Sequence, residues 1–232
     1  MIENIGGAIS KDGNVRLDFR AIASLIAKKN AKILDIGCGD GELLHFLKST
    51  KKAKVRGLEI NQARASAAIS KGISVIQGDA EIDLTHYLDD SFDYAILSQT
   101  LQAMKNPKDI IEQMLRVAKY AIISLPNFAY LRNRFYLGVL GKMPMSKTIP
   151  FSWYDTPNIH FCSIKDFRKL CFDLDLAIKK EIFLTNNGQL ISFSGKIMPN
   201  LLAEYGVFLV AQNDDEVALN TEIVGCSAMS PA

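Results

Sequence analysis

The chain has 232 residues, 48% of them apolar, and a formal net charge of +2. That length and composition allow one large α/β domain with a sizeable core. The nearly balanced charge lacks the footprint of a nucleic-acid-binding protein, and no apolar run reaches the roughly 18 residues of a membrane-spanning helix, so we expect neither a nucleic-acid nor a membrane partner.

Apolar runs alternate with helical periods along the first half of the chain. Short runs rich in β-branched residues predict strands at residues 33–36, 55–60, 73–77, 94–97 and 121–125. Apolar residues at helical spacing predict the intervening helices, at 15–26, at 43–47, after Asn61 and after Pro107. Strands that alternate with helices and are apolar on both faces predict an α/β fold with a doubly wound, mostly parallel sheet.

Three helix ends carry signals of their own. Asn61 is a predicted N-cap residue, because its side chain can accept a hydrogen bond from the first helical turn. Gly72 is predicted to end the same helix in the left-handed conformation that glycine adopts at low cost. Asn106 and Pro107 predict a cap followed by proline at the first helical position.

Residues 126–162 form a long segment with eight aromatic side chains. Such segments are usually functional, and aromatic side chains gain by burial, so we predict a partly helical cap over the carboxyl ends of the strands. Beyond this cap, a helix is predicted at 163–172 and two strands at 177–184 and 207–211. A single domain would then span residues 1–212, followed by a polar, frayed tail at 213–232.

Cysteine and histidine spacing bears on compartment and metal binding. The four cysteines form no C-x-x-C pair and the three histidines are scattered, so no metal-ligand pattern is present. The first residues lack the basic and apolar regions of a signal peptide. We expect a cytoplasmic location, free thiols and no bound metal.

The strongest functional signal is the glycine-rich sequence DIGCGDG at residues 35–41, between the first strand and its helix. A glycine turn lets a ligand lie against backbone whose N–H groups point at it. A dinucleotide fingerprint needs a small residue where Glu42 stands, and no P-loop lysine follows, so phosphate ligands are disfavoured. The Asp35 carboxylate suits a phosphate-free cation such as S-adenosylmethionine, and capping of the next helix is its alternative role.

Polar residues also close the next three strands. Glu59 ends the second strand, where doubly wound folds bind ribose hydroxyls, and Asp79 closes the third, where it could accept from an adenine amino group. Ser98 and Gln99 close the fourth strand. The alternatives are a solvated strand end for Glu59, a turn residue for Asp79, and ordinary loop polarity for Ser98 and Gln99. Together these positions predict a cofactor site made of Asp35, Gly37, Cys38, Gly39, Gly41, Glu59, Ile60, Asp79, Ala80, Ser98 and Gln99.

At these positions the chain resembles class I methyltransferases, whose corresponding motifs line an S-adenosylmethionine pocket. The resemblance implies a Rossmann-like, seven-stranded sheet whose last strand is antiparallel. A closer similarity, to the MetW family of methionine-biosynthesis proteins, covers roughly residues 15–210. It is carried by LDIGCGDGELL at 34–44, VIQGD at 75–79, SFDY at 91–94, ILSQTLQA at 96–103, PNF at 126–128 and WYDTPNIH at 153–160.

That resemblance implies a role in methionine biosynthesis beside MetX, the homoserine O-acyltransferase, whose activity MetW-like proteins support. The sequence does not decide whether the protein is itself an enzyme. One hypothesis is methyl transfer from S-adenosylmethionine to an unidentified small molecule, with Tyr154, Asp155 or His160 as the candidate catalytic residue. An NAD-dependent oxidoreductase is a further alternative, which Glu42 disfavours.

The other hypothesis is a non-catalytic binding module. Such a protein would sense S-adenosylmethionine, the end product of the pathway, and regulate the acyltransferase. The aromatic cap would then form an interface that includes Arg132 and Arg134, because aromatic residues and arginine dominate interface hot spots.

Overall fold

The protein is described from a computed structural model that covers residues 18–146, 149–185, 190–191 and 198–213. The predicted start of the first helix near Val15, the thiol of Cys226 and the predicted tail beyond Asn213 lie outside those residues. No described helix combines the length and apolar character that crossing a lipid bilayer requires.

The fold is built on one mixed sheet. Its strands are β1 (Lys32–Ile36), β2 (Lys54–Glu59), β3 (Ser74–Gln77), β4 (Phe92–Ser98), β5 (Ala118–Pro126), β6 (Leu176–Leu184), β7 (Leu190–Ile191) and β8 (Tyr205–Gln212). They lie in the order β3-β2-β1-β4-β5-β8-β6-β7, with β1 to β5 parallel and β8 antiparallel to both neighbours. The predicted doubly wound sheet and its antiparallel last strand are confirmed. The described chain adds a two-residue strand, β7, at the edge.

Helices cover both faces of this sheet. They are α1 (Phe19–Leu25), α2 (Glu42–Lys51), α3 (Gln62–Ser70), α4 (Ala80–Asp83), α5 (Pro107–Val117), α6 (Leu131–Gly138), α7 (Ile164–Asp173) and α8 (Met198–Leu202). One core layer lies under α5 and α7, and the other lies under α1, α2 and α3. In α2 the predicted apolar face is buried, and each fully buried leucine contributes about 1.5–3 kcal/mol to stability.

All three predicted helix ends lie where the sequence places them, with Asn106 as the N-cap residue and Pro107 as the first residue of α5. The Asn61 side chain accepts a hydrogen bond from the N–H of Arg64 at 3.1 Å, and Gly72 has a left-handed φ of +76°. Asn106 makes no side-chain capping bond. Its backbone, at φ −120° and ψ 75°, leaves the extended geometry in which a cap side chain reaches forward, while its N–H donates to the Glu81 carboxylate at 2.8 Å.

Two expectations about burial are also corrected. The strand β3 lies at the edge of the sheet and Ile76 on it is exposed, so it is not apolar and covered on both faces. The cap is partly helical, since it contains α6, but many of its aromatic side chains are not buried. Trp153 is 70% and Tyr154 75% exposed, so the stability of the cap must come from elsewhere.

One source of that stability is Asn127, directly after β5. Its side chain is buried, and its amide donates to the carbonyls of Ala203 (2.7 Å) and Asn200 (3.1 Å). The side-chain oxygen of Asn127 accepts from the N–H groups of Ala129 (3.2 Å) and Ile164 (3.4 Å). This one side chain therefore joins the start of the cap to α7 and α8.

The substitution Asn127→Ala should lower the free energy of unfolding by about 3 kcal/mol, because it leaves buried backbone groups without partners. Urea unfolding measures the change. Asn213→Ala is the matched control, since Asn213 is exposed and bonded only to the Asp175 carboxylate among the contacts recorded for it; its effect should stay below about 0.5 kcal/mol. Equal losses in the two variants would show that Asn127 has no such role.

Candidate functional site

A cleft of about 710 Å³ opens at the carboxyl ends of the parallel strands. Doubly wound sheets bind ligands at this edge. The cleft is lined by six of the residues that the sequence predicts: Gly37, Glu59, Ile60, Asp79, Ala80 and Gln99. Residues from the cap complete its wall on the opposite side: Phe151, Pro157 and Asn158.

The glycine turn after β1 adopts backbone conformations that favour glycine. Gly37, Gly39 and Gly41 have φ values of +71°, +57° and +75°. A Cβ on Gly37 would lie 2.9 Å from Cγ2 of Thr100, and a Cβ on Gly41 would lie 2.9 Å from Cβ of Ala68. Glycine is therefore required at these two positions both for conformation and for close packing.

The N–H groups of this turn do not point at a ligand, which corrects the expectation drawn from the glycines. Gly37 and Cys38 donate to the carbonyl of Leu58 in β2, at 2.8 and 3.2 Å. Gly39 donates to Oε2 of Glu59 at 2.7 Å. Gly41 donates to the Cys38 carbonyl at 3.0 Å. With four donors used inside the protein, the turn is a poor cradle for phosphate, which needs N–H groups.

Glu59 is the residue that joins the glycine turn to the end of β2. It is only 6% exposed, so the alternative of a solvated strand end is wrong. Its Oε1 accepts from the N–H of Asn61 at 2.8 Å, while Oε2 accepts from Gly39. Each carboxylate oxygen can accept a second hydrogen bond, so Glu59 still has acceptor capacity for a ligand in the cleft that it lines.

Asp35 and Cys38 lie behind the surface of the cleft. Both side chains are buried. The thiol of Cys38 fills the space above Gly57, where a Cβ would come within 2.4 Å of the sulfur. Burial, followed by the nearby carboxylates of Asp35 and Glu59, raises the pKa of the Cys38 thiol to about 12, so this side chain is a neutral packing group at physiological pH.

Asp79 lines the cleft and also caps a helix. Its Oδ1 accepts from the N–H of Glu81 at 3.0 Å, at the start of the four-residue helix α4. The turn role considered for Asp79 is therefore real, and it coexists with a position in the wall of the cleft.

Ser98 and Gln99 diverge at the end of β4. The Ser98 hydroxyl donates to Oδ2 of the buried Asp18 at 2.6 Å, and Ser124 donates to the same oxygen at 2.8 Å. Gln99 lines the cleft and has a left-handed φ of +54°, which is uncommon for a residue other than glycine. Its N–H donates to the Ser124 carbonyl at 2.9 Å, which holds this conformation in place.

Gln102 is a cleft residue that the sequence analysis did not select. It is 8% exposed, and its side-chain N–H donates to the Gln99 carbonyl at 2.8 Å. The side-chain oxygen has almost no exposed surface and no hydrogen-bond partner among the described residues. The backbone carbonyl accepts from Ile159 (2.8 Å) and His160 (3.0 Å), so Gln102 also holds the cap.

The candidate catalytic residues do not line this cleft. Tyr154, Asp155 and His160 are exposed on the cap, and the Nε2 of His160 lies 3.4 Å from the Lys105 carbonyl. The ionisable groups that do line the cleft, besides Glu59 and Asp79, are Arg64, Glu81 and Lys105. Arg64 and Glu81 lie in the first turns of α3 and α4, a signal that could have identified them, whereas Lys105 lies in the loop before α5 and carries no such signal.

The described part of the chain contains no candidate metal site. No group of three or more His, Cys, Asp or Glu side chains there is arranged to hold a metal ion.

Solved structures of similar fold are S-adenosylmethionine-dependent methyltransferases. One is a possible histamine N-methyltransferase from Thermotoga maritima, 19% identical over 84% of this chain and 88% of its own, with a TM-score of 0.61. A methyltransferase from Archaeoglobus fulgidus is 16% identical over 84% and 91%, with a TM-score of 0.60. The magnesium protoporphyrin IX methyltransferase of Synechocystis, solved with bound SAH, is 14% identical over 84% and 82%, with a TM-score of 0.59. These similarities show the Rossmann-like class I methyltransferase fold.

Similarity in sequence identifies the family more specifically than similarity in fold does. The bifunctional methionine biosynthesis protein MetXA/MetW of Rhodopirellula baltica is 35% identical over 210 residues, which are 86% of this chain and 33% of the relative. The chain thus spans about a third of that relative's length. The family model for the methionine biosynthesis protein MetW matches residues 16–210. Because the family model matches most of its length and the relative is 35% identical, the chain belongs to the MetW family of methionine-biosynthesis proteins.

Proposed function

We propose that the cleft binds S-adenosylmethionine and that the protein acts on methionine biosynthesis as a partner of a homoserine O-acyltransferase. The observation that carries the cofactor assignment is the distribution of hydrogen-bonding groups. Four N–H groups of the glycine turn are used internally, while carboxylate and amide side chains line the cleft.

That distribution matches the chemistry of S-adenosylmethionine. The cofactor carries a sulfonium, an ammonium and ribose hydroxyls, and it has no phosphate, so it needs acceptors and negative charge. Glu59 would accept from the ribose hydroxyls and Asp79 from the adenine amino group. Ile60, which is 65% exposed in the cleft wall, would give the adenine an apolar surface.

The remaining predicted residues would act around this ligand. Gly37 would let the methionine part of the cofactor approach the backbone, with the buried Asp35 carboxylate behind it. Ala80, which lines the cleft, would contact the ligand directly. A second group would shape the turn and the strand ends without direct contact: Cys38, Gly39, Gly41 and Ser98. Gln99 would present its strained backbone to the ligand, as residues in sparsely populated conformations often do at functional sites.

The acyltransferase partnership is supported by the relative that carries MetXA and MetW in one polypeptide. Fusion holds two domains at a high effective concentration, which favours an interaction between them. A non-catalytic role is supported by the position of Tyr154, Asp155 and His160, all at the surface and outside the cleft. In this role the protein would bind S-adenosylmethionine, the end product of the pathway, and regulate the acyltransferase according to its concentration.

Methyl transfer is the second candidate function. The observation that favours it is that Phe151, Pro157 and Asn158 of the cap line the same cleft as the proposed cofactor positions. An acceptor held against the cap would then lie beside the sulfonium methyl group. In-line transfer depends mainly on positioning and water exclusion, so it does not require a base for every acceptor.

Isothermal titration of the purified protein with S-adenosylmethionine should give a saturable heat signal. Glu59→Gln should weaken binding by at least about tenfold, because each hydrogen bond to a charged carboxylate contributes about 1.5–3 kcal/mol. The matched control is Glu112→Gln on the exposed side of α5, with affinity within about twofold of the unmodified chain. Binding of NADH in place of S-adenosylmethionine would overturn the cofactor assignment.

Adding the protein to a homoserine O-acyltransferase from the same organism should raise the acyltransferase rate, and the two should co-elute. Methyl-labelled S-adenosylmethionine, incubated with the protein and a metabolite extract, separates the two candidate functions. The non-catalytic role predicts label transfer no faster than in the Glu59→Gln variant, whereas faster transfer supports the enzyme. If the two proteins do not co-elute and the acyltransferase rate does not rise, the proposed partnership is wrong.

A further inference from the structure

The cap carries an unusual share of exposed apolar surface. Of the nineteen large hydrophobic side chains that are exposed in the described residues, twelve lie between residues 131 and 161. Scattered exposed hydrophobics are normal, but a concentration of them marks an interaction site. The helix α6 contributes the most regular part of this surface.

The orientation of α6 is inverted with respect to an ordinary surface helix. Its one buried residue is Asn133, while Leu131 and Phe135 are 50% and 52% exposed. A helix on a globular core normally buries its apolar stripe and exposes its polar face. Here the apolar side chains face outward, which costs stability unless something else covers them.

Hydrogen bonds fix this inverted orientation. The side-chain amide of Asn133 donates to the backbone carbonyls of Phe128 (3.2 Å) and Asn127 (3.4 Å), just after β5. Rotating α6 to bury Phe135 would pull Asn133 out of these bonds and leave buried carbonyls without donors. The outward apolar stripe is therefore a built feature of the fold.

Arginines flank the stripe on both sides. Leu131 and Phe135 in α6 and Val139 at its C-cap follow one another at spacings of four residues, so they lie on one side of the helix. Successive residues are rotated by about 100° around a helix, which places Arg132 and Arg134 on opposite sides of that stripe. No acidic residue occurs in the eight residues of α6. We call the surface of these five residues the α6 face.

We propose that the α6 face is the central anchor of the docking surface for the homoserine O-acyltransferase, in an apolar groove with carboxylates along its rim. This proposal rests on the partnership in the proposed function. An amphipathic helix in a groove is a common recognition mode, and Phe with flanking Arg is the composition of an interface hot spot. Because α6 starts just after β5, the docked partner would lie at the edge of the sheet where the cleft opens.

Charge argues against a second copy of this chain as the occupant. A twofold interface places the same patch against itself, so Arg132 and Arg134 would face a patch that carries two arginines and no carboxylate. Like charges facing each other across an interface are costly. A helix of eight residues is only about 12 Å long, so α6 supplies an anchor within a larger contact of about 800 Å² on each partner.

The test measures binding of the full chain to a homoserine O-acyltransferase from the same organism, by isothermal titration. Phe135→Glu should weaken binding by at least about 30-fold, the loss typical of a hot spot. Its matched control is Phe172→Glu on α7, since Phe172 is 81% exposed; this control should bind within about twofold of the unmodified chain.

A charge reversal provides a second pair of variants, which disturbs the fold less. Arg132→Glu should weaken binding and slow association, whereas Lys108→Glu on the exposed side of α5 should not. Circular dichroism melting curves confirm that each variant folds.

The outcomes distinguish a failure of the proposed docking surface from a failure of the proposed partnership with the acyltransferase. If the unmodified chain binds and both α6 variants bind equally well, the docking surface is wrong while the partnership stands. If the unmodified chain does not bind the acyltransferase, the partnership fails and the docking surface fails with it. If sedimentation shows self-association that Phe135→Glu abolishes, the α6 face is an interface between copies, which also overturns the inference.

Discussion

Two backbone N–H groups converge on the carboxylate of Glu59, one from Gly39 in the glycine turn and one from Asn61 at the start of α3. This contact ties the loop after β1 to the end of β2. The Leu58 carbonyl, which accepts from Gly37 and Cys38, reinforces it. Because the turn can face the cleft only while it is held against β2, the shape of the whole site depends on this one buried carboxylate.

The same contact decides which ligand chemistry suits the site. A glycine turn with unused N–H groups is an anion site, as in dinucleotide-binding folds. Here four of the donors are used by Leu58, Glu59 and the Cys38 carbonyl, and the groups that line the cleft include the carboxylates of Glu59, Asp79 and Glu81. A ligand rich in donors and positive charge complements that lining better than a pyrophosphate does.

The end of β5 determines the other notable surface. Asn127 joins the cap to α7 and α8, and Asn133 bonds to the carbonyls that follow β5. These two asparagines hold α6 with its apolar stripe outward. The cleft and the α6 face thus lie on elements that leave the same edge of one sheet, and Gln102 connects the cleft to the cap through its backbone.

Local pattern alone determined the order of strands and helices, the glycine turn and the acids at the strand ends, because period, glycine content and strand-end position are properties of neighbouring residues. Tertiary structure decided which way the groups of those residues point. The turn donors are taken by Leu58 and Glu59, Ser98 is directed to Asp18, and α6 turns its apolar side outward. The partners of the turn and of Ser98 are distant in sequence, and the carbonyls that Asn133 binds lie outside α6, so no local period records these contacts.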